Sequence, residues 1–142
     1  MFDRLPGRGM RSTEMREASA NLELNEEFRI MEEHPRSGVT VLAVSGEADL
    51  HTAPELRERM QGAIDGGSST LLLDLSGTTF LDSTTLGVLF GGMKQLRERN
   101  GSMQLVVPQA EVRRVLEITQ LDRVFSIHDT REEALADSDG PG

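Results

Sequence analysis

Apolar and polar positions change period along most of this chain. Short apolar runs of strand length alternate with stretches in which apolar residues recur every three or four positions, as in amphipathic helices. Between residues 27 and 136 the pattern predicts the order β-β-α-β-α-β-α-β-α. The predicted strands are Phe28–Glu33, Val39–Val44, Thr70–Leu75, Met103–Val107 and Val124–Ile127.

The spacing of these strands predicts the topology of the sheet. A turn signal at Pro35–Gly38 separates the first two strands, so we expect them to form an antiparallel hairpin. Helices separate the later strands, and such crossovers place strands parallel in one sheet. Thr70–Leu75 is almost continuously apolar, which is typical of a central strand covered on both faces. The sequence therefore predicts one α/β domain with a mixed, mostly parallel sheet of about five strands and covering helices.

Capping signals place the starts of the predicted helices. Thr52, with Glu55 three residues later, predicts a capping box, and Thr130–Glu133 predicts a second one. Asp82 or Ser83 caps the helix between them. Its predicted inward positions are Leu86, Leu89, Phe90, Met93 and Leu96. The stripe predicted for the preceding helix is Ala53, Leu56, Met60, Ala63 and Ile64.

Both ends of the chain differ from its middle. Residues 1–26 are rich in Arg, Glu, Ser, Gly and Met and can bury too little apolar surface to offset the ordering of the backbone. They predict a flexible N-terminal tail, with a short helix over Thr13–Leu24 as the alternative. Residues 137–142 predict a disordered C-terminal tail. The folded domain is therefore expected over residues 27–136.

Charge and composition exclude several classes of function. Among 142 residues, 24 are Asp or Glu and 15 are Lys or Arg, which gives a formal net charge of −9. Nucleic acid and anionic lipid both require clustered basic residues, so neither is an expected partner. The absence of Cys excludes disulfides, thiolate nucleophiles and Cys-ligated metals. No apolar run suits a membrane span or a signal peptide, so a cytoplasmic protein is expected.

The segment Phe80–Gly87 carries the most chemical information. There a predicted strand delivers Ser83 to the start of a helix, where free N–H groups and the helix dipole favour an anion. A phosphate on Ser83 would add about −1.5 to −2 charges beside Asp82, and near Glu47 and Asp49 on another loop. A partner surface that fits a neutral hydroxyl would then be repelled. The residues alone also fit a plain N-cap at Ser83 and a solvated turn at Glu47 and Asp49, so the pattern by itself does not decide the function.

Two separate motifs, in order, resemble the STAS-domain family of bacterial anti-sigma-factor antagonists. The family pattern of an apolar strand, Asp-Ser-Ser/Thr-Gly-Leu-Gly-Val-Leu and an amphipathic helix is similar to FLDSTTLGVLFGGMKQLRERNGSMQLV, residues 80–106. The family's Gly-Glu-hydrophobic-Asp loop is similar to SGEADLHTA, residues 45–53. Its third helix and following turn resemble VRRVLEITQLDRV, residues 112–124. The resemblance spans about residues 27–136 and implies a single STAS-like domain.

This resemblance implies a regulatory binding protein that is not an enzyme and that needs no cofactor or metal. Members of the family bind an anti-sigma factor that is also a serine kinase, and this binding releases a sigma factor. The kinase phosphorylates the Ser that follows Asp in the signature, and a serine phosphatase restores the antagonist. For this chain the resemblance makes Ser83 the phosphorylation site. We expect the free protein to be a monomer.

The resemblance also implies a set of partner-binding residues. Asp82 orients the acceptor turn, and Asp49 helps to hold the acceptor geometry through polar contacts. Thr84 is a minor acceptor or a contact. The implied partner-binding set is Glu47, Asp49, Asp82, Ser83, Thr84, Thr85, Leu86 and Gly87.

Two positions depart from the family pattern. Thr85 stands where the family usually has Gly, and we expect it to add bulk where a partner loop approaches. Gln120 stands where the family commonly has a Gly suited to a left-handed helix C-cap. Either Gln120 adopts that conformation, at a cost of roughly 1–2 kcal/mol, or the third helix ends differently.

Other functions remain as alternatives. A hydrolase would pair Ser83 with His51 or His128, but the pattern Gly-x-Ser-x-Gly is absent around Ser83. A nucleotide site would need a phosphate-cradling Gly pattern, which the sequence lacks, and Gly91-Gly92 in mid-helix instead favours close helix packing. The main alternative shares the fold. It is a STAS adaptor subunit of a lipid or anion transporter, or a stress-signalling scaffold, without a phosphoswitch.

Overall fold

The computed structural model describes residues 27–138. These residues form one five-stranded sheet in the order β1-β2-β3-β4-β5, together with four α-helices. The strands are β1 (Arg29–Arg36), β2 (Val39–Ala48), β3 (Thr70–Leu81), β4 (Ser102–Val106) and β5 (Ser126–His128). The helices are α1 (Ala53–Asp65), α2 (Ser83–Glu98), α3 (Ala110–Ile118) and α4 (Arg131–Ser138), and a 3-10 helix spans Leu121–Arg123.

The sheet is mixed, as the sequence predicts. β1 pairs antiparallel with β2, while β2, β3, β4 and β5 are parallel neighbours. The predicted mostly parallel α/β domain with covering helices is confirmed. The predicted N-terminal tail at residues 1–26, and the alternative helix Thr13–Leu24, lie outside the described residues. The predicted disordered tail begins at residue 137, but residues 137 and 138 belong to α4; residues 139–142 lie outside the described range.

β2 and β3 are both longer than the apolar pattern predicts. Beyond Val44 and Leu75 the two strands continue to pair with each other, with Ala48 opposite Leu81 at the far end. The polar run at residues 45–50 predicts a loop, but its first four residues belong to β2. These strand residues do not show the alternation of apolar and polar positions that marks a strand, because several are polar and the register shifts at Gly46. Gly46 has φ +90°, and a Cβ there would come within 2.9 Å of the Cα of Phe28.

The lengthened part of the sheet extends past β4. β3 pairs with β4 only from Thr70 to Asp74. We call the remaining paired segments, residues 45–48 of β2 and 77–81 of β3, the β2–β3 extension. The hydroxyl of Thr78, buried within it, donates to the carbonyl of Val44 at 2.9 Å. Gln109 is the N-cap residue of α3, and its Nε2 donates to the Leu75 and Thr78 carbonyls, both at 2.7 Å. These long-range bonds stabilise the extension.

Helices α1 and α2 cover one face of the sheet. The predicted stripe of α1 is buried at all five positions. In α2 the predicted inward positions are buried except for Phe90, which is 39% exposed. Gly92 allows α1 and α2 to approach closely, because a Cβ there would overlap the terminal methyl of Met60. The main core therefore lies between the sheet and these two helices, and Val112 and Leu116 of α3 complete it.

Helix α4 covers the opposite face. Ala134 packs with Val39, Val41, Leu72 and Val106 from three neighbouring strands. The second predicted capping box is present in modified form at the start of α4. The Glu133 N–H donates to the Thr130 hydroxyl at 3.1 Å, while the Glu133 carboxylate accepts the N–H of Asp129 at 3.1 Å.

A buried ionic group fastens α4 to the sheet. Asp74 of β3 is only 8% exposed, and its Oδ2 accepts a bond from the Nε of Arg131 at 2.6 Å. The same guanidinium contacts Glu33 of β1 at 2.9 Å, and the hydroxyl of Ser76 donates to Asp74 Oδ1 at 2.6 Å. Burial raises the pKa of Asp74, but the hydrogen bonds from Ser76 and Arg131 outweigh it and lower the pKa overall.

The end of α3 decides between the two possibilities for Gln120. Its φ is +64°, so Gln120 takes the left-handed conformation that the family's usual Gly would adopt at no cost. The helix ends in the ordinary position, and this chain bears the strain of a side chain there.

Candidate partner-binding site

Asp82 joins the start of α2 to the loop between β2 and α1. It has extended backbone angles and is the N-cap of α2, where its Oδ1 accepts the N–H of Thr85 at 2.9 Å. Its Oδ2 accepts the N–H of Leu50 at 2.9 Å. The prediction that Asp82 or Ser83 caps this helix is thus resolved in favour of Asp82. One carboxylate fixes two segments that are far apart in the sequence.

The hydrogen bonds to Asp82 also keep it charged. Partial desolvation raises its pKa, but the N–H groups of Thr85, Leu50 and Thr84 stabilise the carboxylate and lower the pKa overall. A negative charge is therefore fixed beside the first residue of α2 at neutral pH.

Ser83 is the first residue of α2, and its side chain is exposed. Thr84 and Gly87 are also exposed on this part of the helix. Leu86 is only 6% exposed and Thr85 only 1%. The placement of Thr85 and Leu86 among surface contacts is therefore wrong, because both side chains pack inward. Ser83, Thr84 and Gly87 remain available to an approaching protein.

Thr85, which stands where the family usually has Gly, contacts the interior of the domain and not its surface. Its hydroxyl donates to the carbonyl of Ala48, the last residue of β2, at 2.8 Å. The N–H of Asp82 donates to the same carbonyl at 3.2 Å. The expectation that Thr85 adds bulk facing a partner is wrong, because the side chain fills space between β2 and α2.

The loop before α1 is organised by Asp49 and not by the predicted capping box. Thr52 is the N-cap of α1, but its side chain makes no capping bond to the helix. Instead Asp49 Oδ1 accepts the N–H groups of His51 and Thr52, at 2.9 and 3.2 Å. The Thr52 hydroxyl accepts the N–H of Asp49 at 2.9 Å and donates to the Glu47 carbonyl at 3.1 Å. Asp49 therefore shapes its own turn, and the loop is connected to the turn that carries Ser83 through the N–H of Leu50.

These bonds give an expected result for Thr52→Ala. The variant loses the hydroxyl that joins both sides of the loop, and we expect the free energy of unfolding to fall by about 0.5–1.5 kcal/mol. Urea denaturation of the wild type, Thr52→Ala and Thr52→Ser measures this change. Thr52→Ser keeps the hydroxyl and should lose much less. Equal stability of all three proteins would show that the loop bonds contribute nothing to folding.

Sequence patterns did not reveal Leu50 as part of this surface. Its side chain is 61% exposed, and its backbone N–H makes the bond to Asp82. The only local signal is an apolar residue within the polar run SGEADLHT. The loop and the turn that this bond joins carry exposed Leu50 and Ser83, together with the acidic residues Glu47, Asp49 and Asp82.

A hydrolase would need a base beside Ser83, and a metal site would need grouped ligands. Within residues 27–138 no hydrogen bond joins Ser83 to a histidine, and His128 Nε2 lies 2.7 Å from Gln104 Oε1. In the same range no three His, Asp or Glu residues are grouped as metal ligands would be. No helix among these residues has both the length and the apolar character needed to cross a membrane. A groove of about 800 Å³ along Ser76–Thr79 and Gln109 includes none of the predicted partner-binding residues.

The five-stranded mixed sheet, its four covering helices and the exposed start of α2 define the class of this domain. Residues 30–134 match the family described as STAS domain. The chain belongs to the STAS domain family. It is 33% identical over 111 residues to the anti-sigma F factor antagonist of Paenibacillus polymyxa, and this match covers 78% of the chain and 94% of the relative. The names of such relatives describe regulatory binding proteins, in agreement with the prediction that this chain is not an enzyme.

Solved structures show the same fold. An anti-sigma factor antagonist from Mycobacterium paratuberculosis matches with a TM-score of 0.74 and 29% identity, over 80% of this chain and 95% of that one. The antagonist SpoIIAA in its unphosphorylated form matches with a TM-score of 0.69 and 26% identity, over 80% and 99%. The phosphorylated form of the Bacillus protein SpoIIAA matches with a TM-score of 0.61 and 25% identity, over 76% and 97%.

Proposed function

We propose that this protein is an anti-sigma-factor antagonist that binds an anti-sigma factor with serine kinase activity and thereby releases a sigma factor. The observation that carries the proposal is the exposed Ser83, held at the start of α2 by the capping Asp82. Antagonists from P. polymyxa and M. paratuberculosis are similar over most of their length, which supports this class of partner. The protein acts in the cytoplasm and is a monomer when free.

Phosphorylation of Ser83 ends the interaction. The Ser83 Oγ attacks the γ-phosphorus of ATP bound to the partner kinase, ADP leaves, and a base of the kinase takes the hydroxyl proton. A serine phosphatase hydrolyses the phosphoserine, which releases inorganic phosphate and restores the hydroxyl. A solved phosphorylated form of the similar protein SpoIIAA supports a phosphorylated state for this chain.

The charges around Ser83 explain why one phosphate would switch binding. The helix N-terminus tolerates the new anion within the protein itself. A partner must instead approach a group with about −1.5 to −2 charges next to Asp82, on a face that already carries Glu47 and Asp49. Thr84 and Gly87 extend the contact surface along α2.

Phosphate transfer to one residue tests this proposal. Ser83→Ala, used as bait, should retain the anti-sigma kinase from the native cell. The purified kinase and ATP should then add one phosphate to the wild type, located on Ser83 by mass spectrometry. Ser83→Ala should remain unmodified, and the neighbouring variant Thr84→Ala should still be modified.

Two outcomes count against the proposal. Labelling of Ser83→Ala at the wild-type level would place the acceptor elsewhere. Stable association with a transporter ATPase, with no phosphate on any residue, would favour the adaptor subunit without a phosphoswitch.

A further inference from the structure

The hydroxyl of Thr85 belongs to a closed set of hydrogen bonds between β2 and α2. The Ala48 carbonyl accepts the Thr85 hydroxyl at 2.8 Å and the Asp82 N–H at 3.2 Å. The Asp82 carboxylate accepts the N–H groups of Thr85 and Leu50, both at 2.9 Å. We call this set the Ala48–Asp82 clamp. It links the end of β2, the following loop and the first turn of α2.

The Thr85 hydroxyl is the shortest contact that the Ala48 carbonyl makes in the clamp. Ala48 and Thr85 are each only 1% exposed, so water does not readily replace a lost partner. Without the hydroxyl, the buried carbonyl keeps only the 3.2 Å bond from Asp82. A Gly at position 85 has neither the hydroxyl nor the side-chain carbon atoms that fill this space. The bond is therefore a property that Thr85 gives to this chain.

We propose that Thr85 is a positioning residue, whose hydroxyl holds the segment Glu47–Leu50 against the turn that carries Ser83. A partner then meets the loop and the acceptor as one preformed surface, and ordering the loop costs no binding free energy at the moment of contact. The effect on a partner rests on the proposed function. The effect on the loop is a property of the protein alone, so the two can be tested separately.

Three variants separate this role from general stability. Thr85→Val keeps the shape of the side chain and removes the hydroxyl, while Thr85→Ser keeps the hydroxyl. Thr78→Val is the matched control, because the Thr78 hydroxyl is also buried and donates to a β2 carbonyl, that of Val44, at 2.9 Å. Each variant removes or retains a buried hydroxyl bond to a carbonyl of β2, which comes from α2 in the case of Thr85 and from β3 in the case of Thr78.

The N–H groups of Leu50 and Asp82 are donors in the clamp, so their hydrogen exchange rates measure how firmly it is closed. The free energy of unfolding is measured for each variant as well, so that variants of similar stability can be compared. In Thr85→Val we expect exchange at Leu50 to become about 3–10-fold faster than in Thr78→Val at matched stability. Thr85→Ser should restore slow exchange. Equal exchange at Leu50 in Thr85→Val and Thr78→Val would overturn the proposal.

Phosphorylation by the anti-sigma kinase captured with Ser83→Ala gives the second readout. A loosened loop should raise the KM for the Thr85→Val protein about 3–10-fold and leave kcat nearly unchanged, since Asp82 still caps the turn that carries Ser83. An unchanged KM would overturn the positioning role. If the wild type itself is never phosphorylated, the proposed function fails, while the exchange result still decides whether Thr85 holds the loop.

Discussion

Ser83→Asp is expected to weaken binding to the anti-sigma factor by about 1–3 kcal/mol, which corresponds to roughly 5–150-fold in Kd. The carboxylate places a charge where the partner meets a neutral hydroxyl, beside the ionised Asp82. Ser83→Ala should bind as well as the wild type and should keep binding after incubation with kinase and ATP. Isothermal titration calorimetry with the purified anti-sigma factor measures all three affinities.

The matched control adds the same charge far from the acceptor. Ser37 is exposed in the turn between β1 and β2, at the opposite end of β2 from the β2–β3 extension. Ser37→Asp should bind with wild-type affinity. Ser83→Asp should also fold normally, because an acidic residue suits the first turn of a helix. Equal affinities for Ser83→Asp and Ser83→Ala would exclude a charge switch at this position.

Arg131→Ala is expected to lower the free energy of unfolding by about 2–3 kcal/mol. Removing one partner of a buried ion pair typically costs about 3–5 kcal/mol, and the exposed part of Arg131 and the remaining bond from Ser76 reduce this figure. Chemical denaturation measures the loss. The control is Arg113→Ala, which breaks a more exposed pair with Asp129 and should cost about 0.5 kcal/mol or less. If both variants lost a similar amount of unfolding free energy, the burial of Asp74 would not increase the contribution of its ion pair to stability.

The same group predicts a pH dependence. The pKa of Asp74 is lower in the folded protein than its ordinary value, so the carboxylate contributes stability above the pKa of the unfolded chain, about 3.9. This contribution is lost as the pH falls from about 4 through the lower folded-state pKa. Asp74→Asn should therefore be less stable than the wild type at pH 7, and the difference should shrink at acid pH. If the difference in the free energy of unfolding between Asp74→Asn and the wild type stayed the same at all pH values, the ionised Asp74 would not be the source of the pH dependence.

The sheet could be predicted from sequence where burial follows a simple period. The run Thr70–Leu75 is apolar because it is covered on both faces, and its position at the centre of the sheet follows. The β2–β3 extension could not be predicted in this way. Its residues near Gly46 and Gly77 are polar or small, and bonds from Thr78 and Gln109, distant in sequence from their acceptors, stabilise it.

In the candidate site, too, the features set by neighbouring residues could be predicted from sequence, and those set by long-range contacts could not. Ser83 and Asp82 follow from a local signal, since a capping residue and the first helical residue are adjacent in sequence. The bond between Leu50 and Asp82 joins residues 32 positions apart, and no local spacing predicts it. The inward direction of Thr85 depends on the Ala48 carbonyl, which only the packed fold brings to it. Thr52 shows the reverse error, because a correct N-cap position does not ensure a capping side chain.

The β2–β3 extension has a consequence for how such a domain can diversify. The residues proposed to bind a partner lie at the ends of β2 and β3, beyond the part of β3 that pairs with β4, whereas the ion pair that joins α4 to the sheet lies at Asp74, earlier in β3. Substitutions at this outer end can change which protein is recognised while the packed base keeps the domain folded. Exchanging the short segments 47–50 and 84–87 between relatives is therefore a practical way to redirect the circuit in which this protein takes part.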